Sequence, residues 1–507
     1  MGLTLVPGEI TLEQLRKVAA GAGEVSLDDG CWPRVEAARE VVQRAADGDA
    51  AVYGVNTGFG KLATTRIAPE KIAELQRRLV LSHMCGVGGP LPDEVVRLVL
   101  ALKAASLARG YSGVRHELIL LLLRLLDHDA LPVIPAKGSV GASGDLAPLA
   151  HLAGCLIGEG EIRHDGALRP AAEVLAAIGE APIGLAAKEG LALLNGTQAS
   201  SALALAGLFR AREVLEAALV AGAISVDAAL GSDVPFQPRL HAVRGQPGQQ
   251  RVAARLAELL AGSAIRASHL ECGRVQDPYS LRCQPQVMGP CFELLETAAA
   301  TLEREANGVS DNPLVFSEDG AILSGGNFHG EGVAFAADQI AMALAETGSL
   351  SERRVALLTD PNLSGLPAFL VPEPGLNSGF MLAQVTAAAL ASENQHLAAA
   401  VSIDSRTTSA NQEDHVSMST YAARRLLEMA DNAAHIIAIE LLCAAQGIEL
   451  RRPLRSSPLI EQALATIRAQ SAFLHEDRPL ARDIRQLAGW LSEGGLRLAG
   501  RAAGPNS

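Results

Sequence analysis

Long segments that are apolar on nearly every face constrain the fold of this chain most. Several exceed the roughly 11-residue average helix, and helices of this kind occupy the centre of a bundle or an oligomer core. The pattern predicts helices at Gln198–Gly222, Arg251–Leu260, Gly289–Ala306, Gly332–Leu358, Gly379–Ala400, Ser417–Gln446 and Leu459–Ala472. Strand-like alternation is confined to short pieces such as Leu314–Phe316 and Ala321–Ser324. We therefore predict a mainly α fold.

The residues before this bundle are less regular. Thr11 and Gln14 form a capping-box pattern at the start of a short helix, and two strongly helical segments follow from Asp93 onward. Prolines and glycines in the segment Leu131–Ala150 predict an irregular, partly buried loop. The chain thus divides into two predicted domains, an irregular N-terminal domain at 1–193 and a long-helix bundle with a C-terminal helical portion at 194–507.

Composition and charge exclude several classes of protein. The net charge of −13 argues against a general nucleic-acid or anionic-membrane binder, because both need a basic face. We find no secretory signal and no run of about 18 apolar residues that would span a membrane. The cysteines are scattered and contain no C-x-x-C pair, which predicts reduced thiols in a cytoplasmic protein. They are Cys31, Cys85, Cys155, Cys272, Cys283, Cys291 and Cys443.

The run GSVGASGDLAPLAH, residues 138–151, consists almost wholly of small residues. Its glycines have the wrong spacing for a dinucleotide-binding loop, and the G-K-[ST] ending of a P-loop is missing. Ser143 lacks the G-x-S-x-G context of a nucleophile elbow. A tight turn that lets two elements approach closely is the simplest interpretation of such a run.

The sequence Ala142-Ser143-Gly144 also permits a specific backbone reaction. A glycine nitrogen can reach the carbonyl two residues back if the chain bends sharply and no Cβ obstructs it. Ring closure with loss of water, followed by loss of the Ser143 hydroxyl, leaves an electrophilic exocyclic methylene. Small residues are required for this reaction, because bulk at position 142 or 144 would block ring closure.

The run resembles the signature of the aromatic amino acid ammonia-lyases that carry 4-methylidene-imidazol-5-one (MIO), and other blocks of that family recur in order from about Tyr53 to Met418. The resemblance implies an MIO group formed from Ala142, Ser143 and Gly144 in the N-terminal domain, with no metal or diffusible cofactor. It also implies a homotetramer with long central helices, in which each site is built from three chains.

Two tyrosines lie in blocks that resemble the family's active-site segments. Tyr53 is in YGVNTGFG and Tyr279 is in QDPYSLRCQPQ, both interrupted by Gly or Pro and predicted as loops. On residue type alone each would be a half-buried packing tyrosine. The resemblance implies that Tyr53 is the base that removes a β-proton and that Tyr279 relays a proton or stabilises the ring.

Four further residues are implied to bind the substrate. Arg282 would bind the α-carboxylate through its planar guanidinium. Without the resemblance, the simplest interpretation of Arg282 is a surface arginine. From its sequence position alone, Asn195 is predicted to be a helix N-cap. The resemblance implies that it also contacts the substrate and the MIO oxygen. Gln276 would join that polar network, and Phe328 would lie against the MIO ring and the substrate.

Two positions indicate the substrate. The pair Ser82-His83 resembles the histidine branch of the family, and Glu413 replaces the uncharged Gln of the phenylalanine branch. Both offer hydrogen bonds to an imidazole, whereas a phenyl ring would leave them unpaired. We expect elimination of ammonia from L-histidine to give trans-urocanate. Met84, which is larger than the small residue usual there, predicts a narrower pocket.

The departures from the histidine branch leave other outcomes open. The segment 398–414 lacks the His-Pro-Ala-Ser run common in that branch, and Arg406 stands where an apolar residue is common. A tyrosine or phenylalanine ammonia-lyase, or an aromatic 2,3-aminomutase, would use the same core residues. A helical scaffold without activity is a third alternative, and the intact Ala-Ser-Gly, Tyr53, Tyr279 and Arg282 argue against it.

Overall fold

The computed structural model describes residues 2–21, 23–58, 66–270, 273 and 275–496, and the predicted mainly α fold is confirmed. Up to residue 194 the described helices are α1 (Leu12–Ala19), α2 (Trp32–Asp47), α3 (Ile72–His83), α4 (Asp93–Leu107), α5 (His116–Asp127), α6 (Leu146–Leu156), α7 (Ala171–Ala177) and α8 (Glu189–Leu194). The later ones are α9 (Gln198–Ala228), α10 (Pro238–Ala242), α11 (Pro247–Leu260), α12 (Ala264–Ala267), α13 (Tyr279–Arg282), α14 (Gln284–Ala306), α15 (Glu331–Thr359), α16 (Pro361–Ser364), α17 (Met381–Leu397), α18 (Ser419–Leu450), α19 (Pro458–Gln470) and α20 (Ala481–Ser492).

The described strands are short and form four small sheets. One pair is parallel, β1 (Leu3–Leu5) with β2 (Val25–Leu27). The others are antiparallel: β3 (Val87–Pro90) with β5 (Pro135–Lys137), β4 (Leu131–Pro132) with β6 (Glu161–His164) and β7 (Ala167–Pro170), and β8 (Leu314–Phe316) with β9 (Ala321–Leu323). The sheets brace loops between helices rather than forming a layer of their own.

The seven predicted long helices correspond to α9, α11, α14, α15, α17, α18 and α19, with ends shifted by a few residues. The capping box at Thr11 is present, because its hydroxyl accepts from the Gln14 amide and the Gln14 side chain accepts from the Thr11 amide. The prediction that Leu131–Ala150 is a loop throughout is wrong. β4 and β5 lie in its first half and α6 begins at Leu146, because Leu146–Ala150 continues an apolar helical run.

The described chain forms two compact units, and each unit comprises three separate segments of the sequence. The first comprises residues 1–207, 298–338 and 400–425, and the second comprises 208–297, 339–399 and 426–507. The boundary at residue 193 stays a prediction.

A small apolar core in the first unit fixes the turn that carries Tyr53. Val55 is fully buried with Val41 and Val42 of α2, and Val315 of β8 joins the same cluster. The side chain of Asn56 closes this turn, because its amide donates to the carbonyls of residues 45 and 50 and its oxygen accepts from the residue 52 amide. The backbone around Tyr53 is therefore held by both packing and hydrogen bonds.

The second unit contains a buried ion pair between two long helices. Arg354 of α15 donates to Glu440 of α18 at 2.5 and 2.7 Å, and Ser225 and Ser351 donate to the same carboxylate. By length and composition α18 could cross a membrane, but 83% of its most apolar window is buried. Burial of that kind is typical of a core helix. The six described cysteines are free thiols, and Cys272 lies outside the described residues.

Candidate active site

The backbone of the Ala-Ser-Gly turn has the sharp bend that ring closure needs. Gly144 has φ +74° and Gly141 has φ +67°, in the left-handed region that favours glycine. A Cβ at Gly144 would collide with the backbone of Gly196, and one at Gly141 would collide with the hydroxyls of Ser417 and Ser419. Only glycine fits at these two positions.

Asp145 anchors this turn from the interior of the protein. Its carboxylate is fully buried and accepts from the Ser200 amide at 2.6 Å, the Ser200 hydroxyl at 2.9 Å, the Thr420 hydroxyl at 2.6 Å and the Ser139 hydroxyl at 3.1 Å. Burial raises the pKa of Asp145, and these hydrogen bonds oppose the increase. Since four donors converge on it, Asp145 fixes the chain directly after Gly144.

Glu413 lies against the central serine of the turn. The Ser143 hydroxyl donates to one carboxylate oxygen at 2.7 Å, and the Thr408 hydroxyl donates to the other at 2.6 Å. Burial raises the pKa of Glu413, but hydrogen bonds from Thr408, Ser143 and Ser409 and the proximity of His83 outweigh it, so the net pKa is lowered. Glu413 is therefore ionised at neutral pH.

The loop before Glu413 has an unusual backbone. Ser409, Ala410 and Asn411 have φ of 50°, 53° and 66°, which is rare for three successive non-glycine residues. The loop is closed by a bond from the Thr408 amide to the Glu413 carbonyl at 2.9 Å. Strain of this type concentrates where a side chain must be held in one place, here the carboxylate of Glu413.

His83 ends α3, and its ring is held by its own helix. Its Nδ1 lies 2.8 Å from the Leu79 carbonyl oxygen and 3.0 Å from the Ser82 hydroxyl. Donation from Nδ1 to the carbonyl leaves Nε2 as a hydrogen-bond acceptor. The side chain of Met84 packs against Gly154 of α6, where an added Cβ would lie 2.5 Å from the Met84 sulfur. Gly154 therefore provides the space that this larger side chain needs.

Asn195 lies directly after α8, and the prediction that it is an N-cap is wrong. Its side-chain amide donates back to the Leu191 carbonyl at 3.3 Å, because the helix that follows begins only at Gln198. The next residue, Gly196, pairs with Gly144 as an isolated bridge. Asn195 and the Ala-Ser-Gly turn are thus brought together through the backbone. Gly54, beside Tyr53, packs on Leu191 of the same helix.

Phe328 lies in the loop before α15, which contacts the glycine-rich turn. The Gly330 amide donates to the Gly141 carbonyl at 3.3 Å. Close by, the donor atoms of His329, Glu331 and His415 lie within 4.8 Å of one another, a spacing that a metal ion could use.

Three predicted site residues form a cluster within the second unit. Arg282 donates to the Gln276 side-chain oxygen at 2.9 Å and to the Asp277 carbonyl at 3.0 Å, and its guanidinium lies 4.6 Å from the centre of the Tyr279 ring. Tyr279 is 71% exposed. It begins α13, so its prediction as a loop residue is wrong by one short helical turn. In this chain Gln276 contacts Arg282.

Comparison with known proteins shows which family the chain belongs to. Residues 10–469 match the family described as aromatic amino acid lyase. Histidine ammonia-lyase of Paracidovorax citrulli is 60% identical over 490 residues, which cover 97% of this chain and 96% of the relative. The chain belongs to the aromatic amino acid lyase family. The membership predicted from the sequence is therefore confirmed.

Two solved structures superpose on nearly the whole chain. The histidine ammonia-lyase of Trypanosoma cruzi superposes with a TM-score of 0.91 at 42% identity, covering 98% of this chain and 94% of that one. A tyrosine aminomutase of Streptomyces globisporus superposes with a TM-score of 0.93 at 35% identity, covering 98% of each chain. Because a histidine ammonia-lyase and a tyrosine aminomutase both superpose on this chain, the fold alone does not select the reaction.

Sequence reasoning missed several residues that support the family's signature turn. Asp145 and Thr408 were not singled out, although an Asp within a run of small residues was a visible signal. Lys103 was also missed, although it is the single charged residue between Arg97 and Arg109, in a run that is otherwise uncharged and mostly apolar. The support from Ser200 and Thr420 had no sequence signal, because those residues reach Asp145 from distant parts of the chain.

Proposed function

We propose that this chain is a histidine ammonia-lyase, which eliminates ammonia from L-histidine to give trans-urocanate. The contact between the Ser143 hydroxyl and the ionised Glu413 carboxylate, with His83 close by, carries the proposal. This contact places Ser143, the predicted precursor of the electrophile, beside Glu413, and His83 lies close to Glu413; Glu413 and His83 are the two side chains predicted to recognise the imidazole. Three curated relatives at 58–60% identity, each over nearly the whole chain, carry the name histidine ammonia-lyase.

The residues present fit an MIO group. Left-handed glycine on each side of Ala142-Ser143, and the lack of space for a Cβ at Gly144, match a turn that must cyclise. Ala142, Ser143 and Gly144 would form the group, with Asn195 and Asp145 holding it in place. When formed, it supplies an electrophile that makes the amino group of the substrate a better leaving group.

His83 and Glu413 would recognise the imidazole ring. The His83 Nε2 accepts a ring N–H, because its Nδ1 proton is committed to the Leu79 carbonyl. When the imidazole ring is protonated, the Glu413 carboxylate accepts its second N–H and stabilises the positive charge. A phenyl or phenol ring would leave at least one of these acceptors desolvated and unpaired.

The remaining predicted residues would position the amino acid and move its proton. Tyr53 removes the β-proton, and a tyrosine needs its site to match its pKa to that task. Arg282 binds the α-carboxylate, and Tyr279 relays a proton or stabilises the ring. Asn195 and Gln276 bind polar groups of the substrate. Phe328 packs against its ring.

The working enzyme would be a homotetramer in which each active site is shared between subunits. It would be located in the cytoplasm and would bind neither nucleic acid nor membrane. Exposed Tyr279, with Arg282 on its ring, fits a cluster that another copy of the chain would cover. Large apolar side chains exposed on α15 and α17 fit the same interpretation, among them Phe335, Met342, Leu382 and Val385.

Absorbance in the urocanate band after addition of L-histidine tests the function, with L-tyrosine and L-phenylalanine as parallel substrates. We expect urocanate from the wild type and no product from Ser143→Ala, which cannot lose the second water. The alternative is a tyrosine or phenylalanine ammonia-lyase, or an aromatic 2,3-aminomutase. Coumarate, cinnamate or a β-amino acid in place of urocanate would establish that alternative and contradict the roles given to His83 and Glu413.

A further inference from the structure

A buried lysine supports the backbone beneath the proposed electrophile. Lys103 of α4 is 1% exposed, and its Nζ donates to the carbonyl oxygens of Ala192 at 3.1 Å and Asn195 at 2.6 Å. These carbonyls are at the end of α8, where the helix has no further amides to satisfy them. The lysine therefore determines where the chain leaves α8.

The segment that Lys103 holds is the one against which the Ala-Ser-Gly turn rests. Gly144 pairs with Gly196, and the Asp145 amide donates to the Gly196 carbonyl at 2.8 Å. The backbones are so close that Gly144 has no room for a Cβ. A shift of the Asn195 carbonyl would thus be passed directly to Gly144.

The charges around Lys103 are balanced. Asp311 and Asp145 favour its ammonium form, whereas Lys188, which is paired with Asp311 at 2.5 Å, opposes it. Burial is the largest influence and lowers the pKa of Lys103 to about 7. Either protonation state has at least two N–H donors, so both carbonyls can be satisfied across this range.

We propose that Lys103 is a positioning residue for formation of the electrophile, holding the Asn195–Gly196 backbone so that the Gly144 nitrogen is aimed at the Ala142 carbonyl. The inference rests on the proposed function. In the reaction, the Gly144 nitrogen bonds to the Ala142 carbonyl carbon, and that oxygen leaves as water with the amide hydrogens of Ser143 and Gly144. The Ser143 hydroxyl then leaves as a second water with the Ser143 α-hydrogen, so no oxidant is needed.

The rate of loss of two waters after cell-free synthesis of the full chain tests the role, measured by intact mass. Lys103→Met removes the donors at similar volume, and Lys103→Arg keeps two donors in a different geometry. We expect maturation of Lys103→Met to be roughly tenfold to a hundredfold slower, the effect of losing a hydrogen bond from a charged donor. Lys103→Arg should fall between Lys103→Met and the wild type.

Arg97→Met is the matched control. Arg97 is on the same helix and also donates to a backbone carbonyl, that of Ala19 at 3.3 Å, while pairing with Asp129. It has no hydrogen bond to the Asn195–Gly196 segment. We expect Arg97→Met to lower thermal stability and to mature at the wild-type rate, which separates positioning from loss of stability.

The outcomes are distinguishable. Folded Lys103→Met that loses both waters at the wild-type rate would overturn the proposal. If Lys103→Met does not fold, Lys103→Arg decides: slower maturation of folded Lys103→Arg supports the proposal, and a wild-type rate, despite the different donor geometry, would overturn it. Wild-type protein that never loses two waters would instead refute the proposed function.

Discussion

The two clusters of predicted site residues differ in how completely one chain builds them. Around Ser143 the side chains are held by named bonds on every side, from Thr408 to Glu413 and from Ser200 to Asp145. Around Arg282 the partners among the described residues are Gln276, Asp277 and an exposed Tyr279 ring. The first cluster is preorganised within the chain, whereas the second presents its groups outward. This difference is what the proposed shared site predicts, with the electrophile precursor held within one chain and Arg282 available to bind the substrate carboxylate in a site shared with another copy.

Mixed oligomers would change activity most. We expect Ser143→Ala and Arg282→Met each to abolish or nearly abolish turnover, because one lacks the electrophile and the other lacks the bidentate carboxylate contact. Co-assembly of the two variants should restore up to about a quarter of the wild-type activity if each site takes Ser143 and Arg282 from different chains.

Turnover of L-histidine by the separated mixed oligomer measures this effect. Each parent variant, purified alone and then mixed after assembly, is the control. An inactive mixed oligomer that contains both chains would show that both clusters serve the same site from one chain.

Removal of the negative charge of Glu413 should have the next largest effect on activity. Glu413→Gln keeps the size and an acceptor oxygen for Ser143 but removes the carboxylate that reads the imidazole. We expect kcat/KM for L-histidine to fall roughly a hundredfold, with the loss of two waters unchanged. Steady-state kinetics beside the intact mass separate recognition from maturation. A variant that fails to mature would show that Glu413 acts first on the Ser143 hydroxyl.

Burial of Lys103 predicts an effect of pH on stability in the first unit. Its pKa is about 7 in the folded chain and 10.5 ordinarily, so the unfolded chain binds more protons between those values. Stability relative to Lys103→Met should therefore rise with pH from 7 to 10.5, by at most about 1.4 kcal/mol per pH unit, and be flat below 7. Urea unfolding of both proteins at several pH values measures the difference. A constant difference would mean that Lys103 keeps its proton throughout.

Whether a feature could be predicted from the sequence depends on how far apart along the chain the interacting residues are. Apolar periodicity is local, so the long helices were found with only their ends displaced. Small residues at 141–144 predicted the sharp turn, because steric limits act on neighbours in the chain. Apart from the bond from Ser139 to Asp145, which spans six positions, the bonds that hold Asp145 and Glu413 join residues from 55 to 275 positions apart or depend on left-handed backbone at Ser409–Asn411. Neither kind leaves a local pattern in the sequence. The contact of Met84 with Gly154 was hidden for the same reason.

That contact gives the smallest effect, and it bears on the pocket that Met84 was expected to narrow. Gly154→Ala should destabilise the fold by about 1–3 kcal/mol, because the new methyl would lie 2.5 Å from the Met84 sulfur. Met84→Ala in the same chain should recover much of that loss, which a double-mutant cycle of unfolding free energies measures. Met84→Ala alone should leave kcat/KM for L-histidine within a few-fold of wild type, since the side chain packs on α6. A large change in substrate preference from that single variant would instead show that Met84 reaches the substrate and that the gap at Gly154 is incidental.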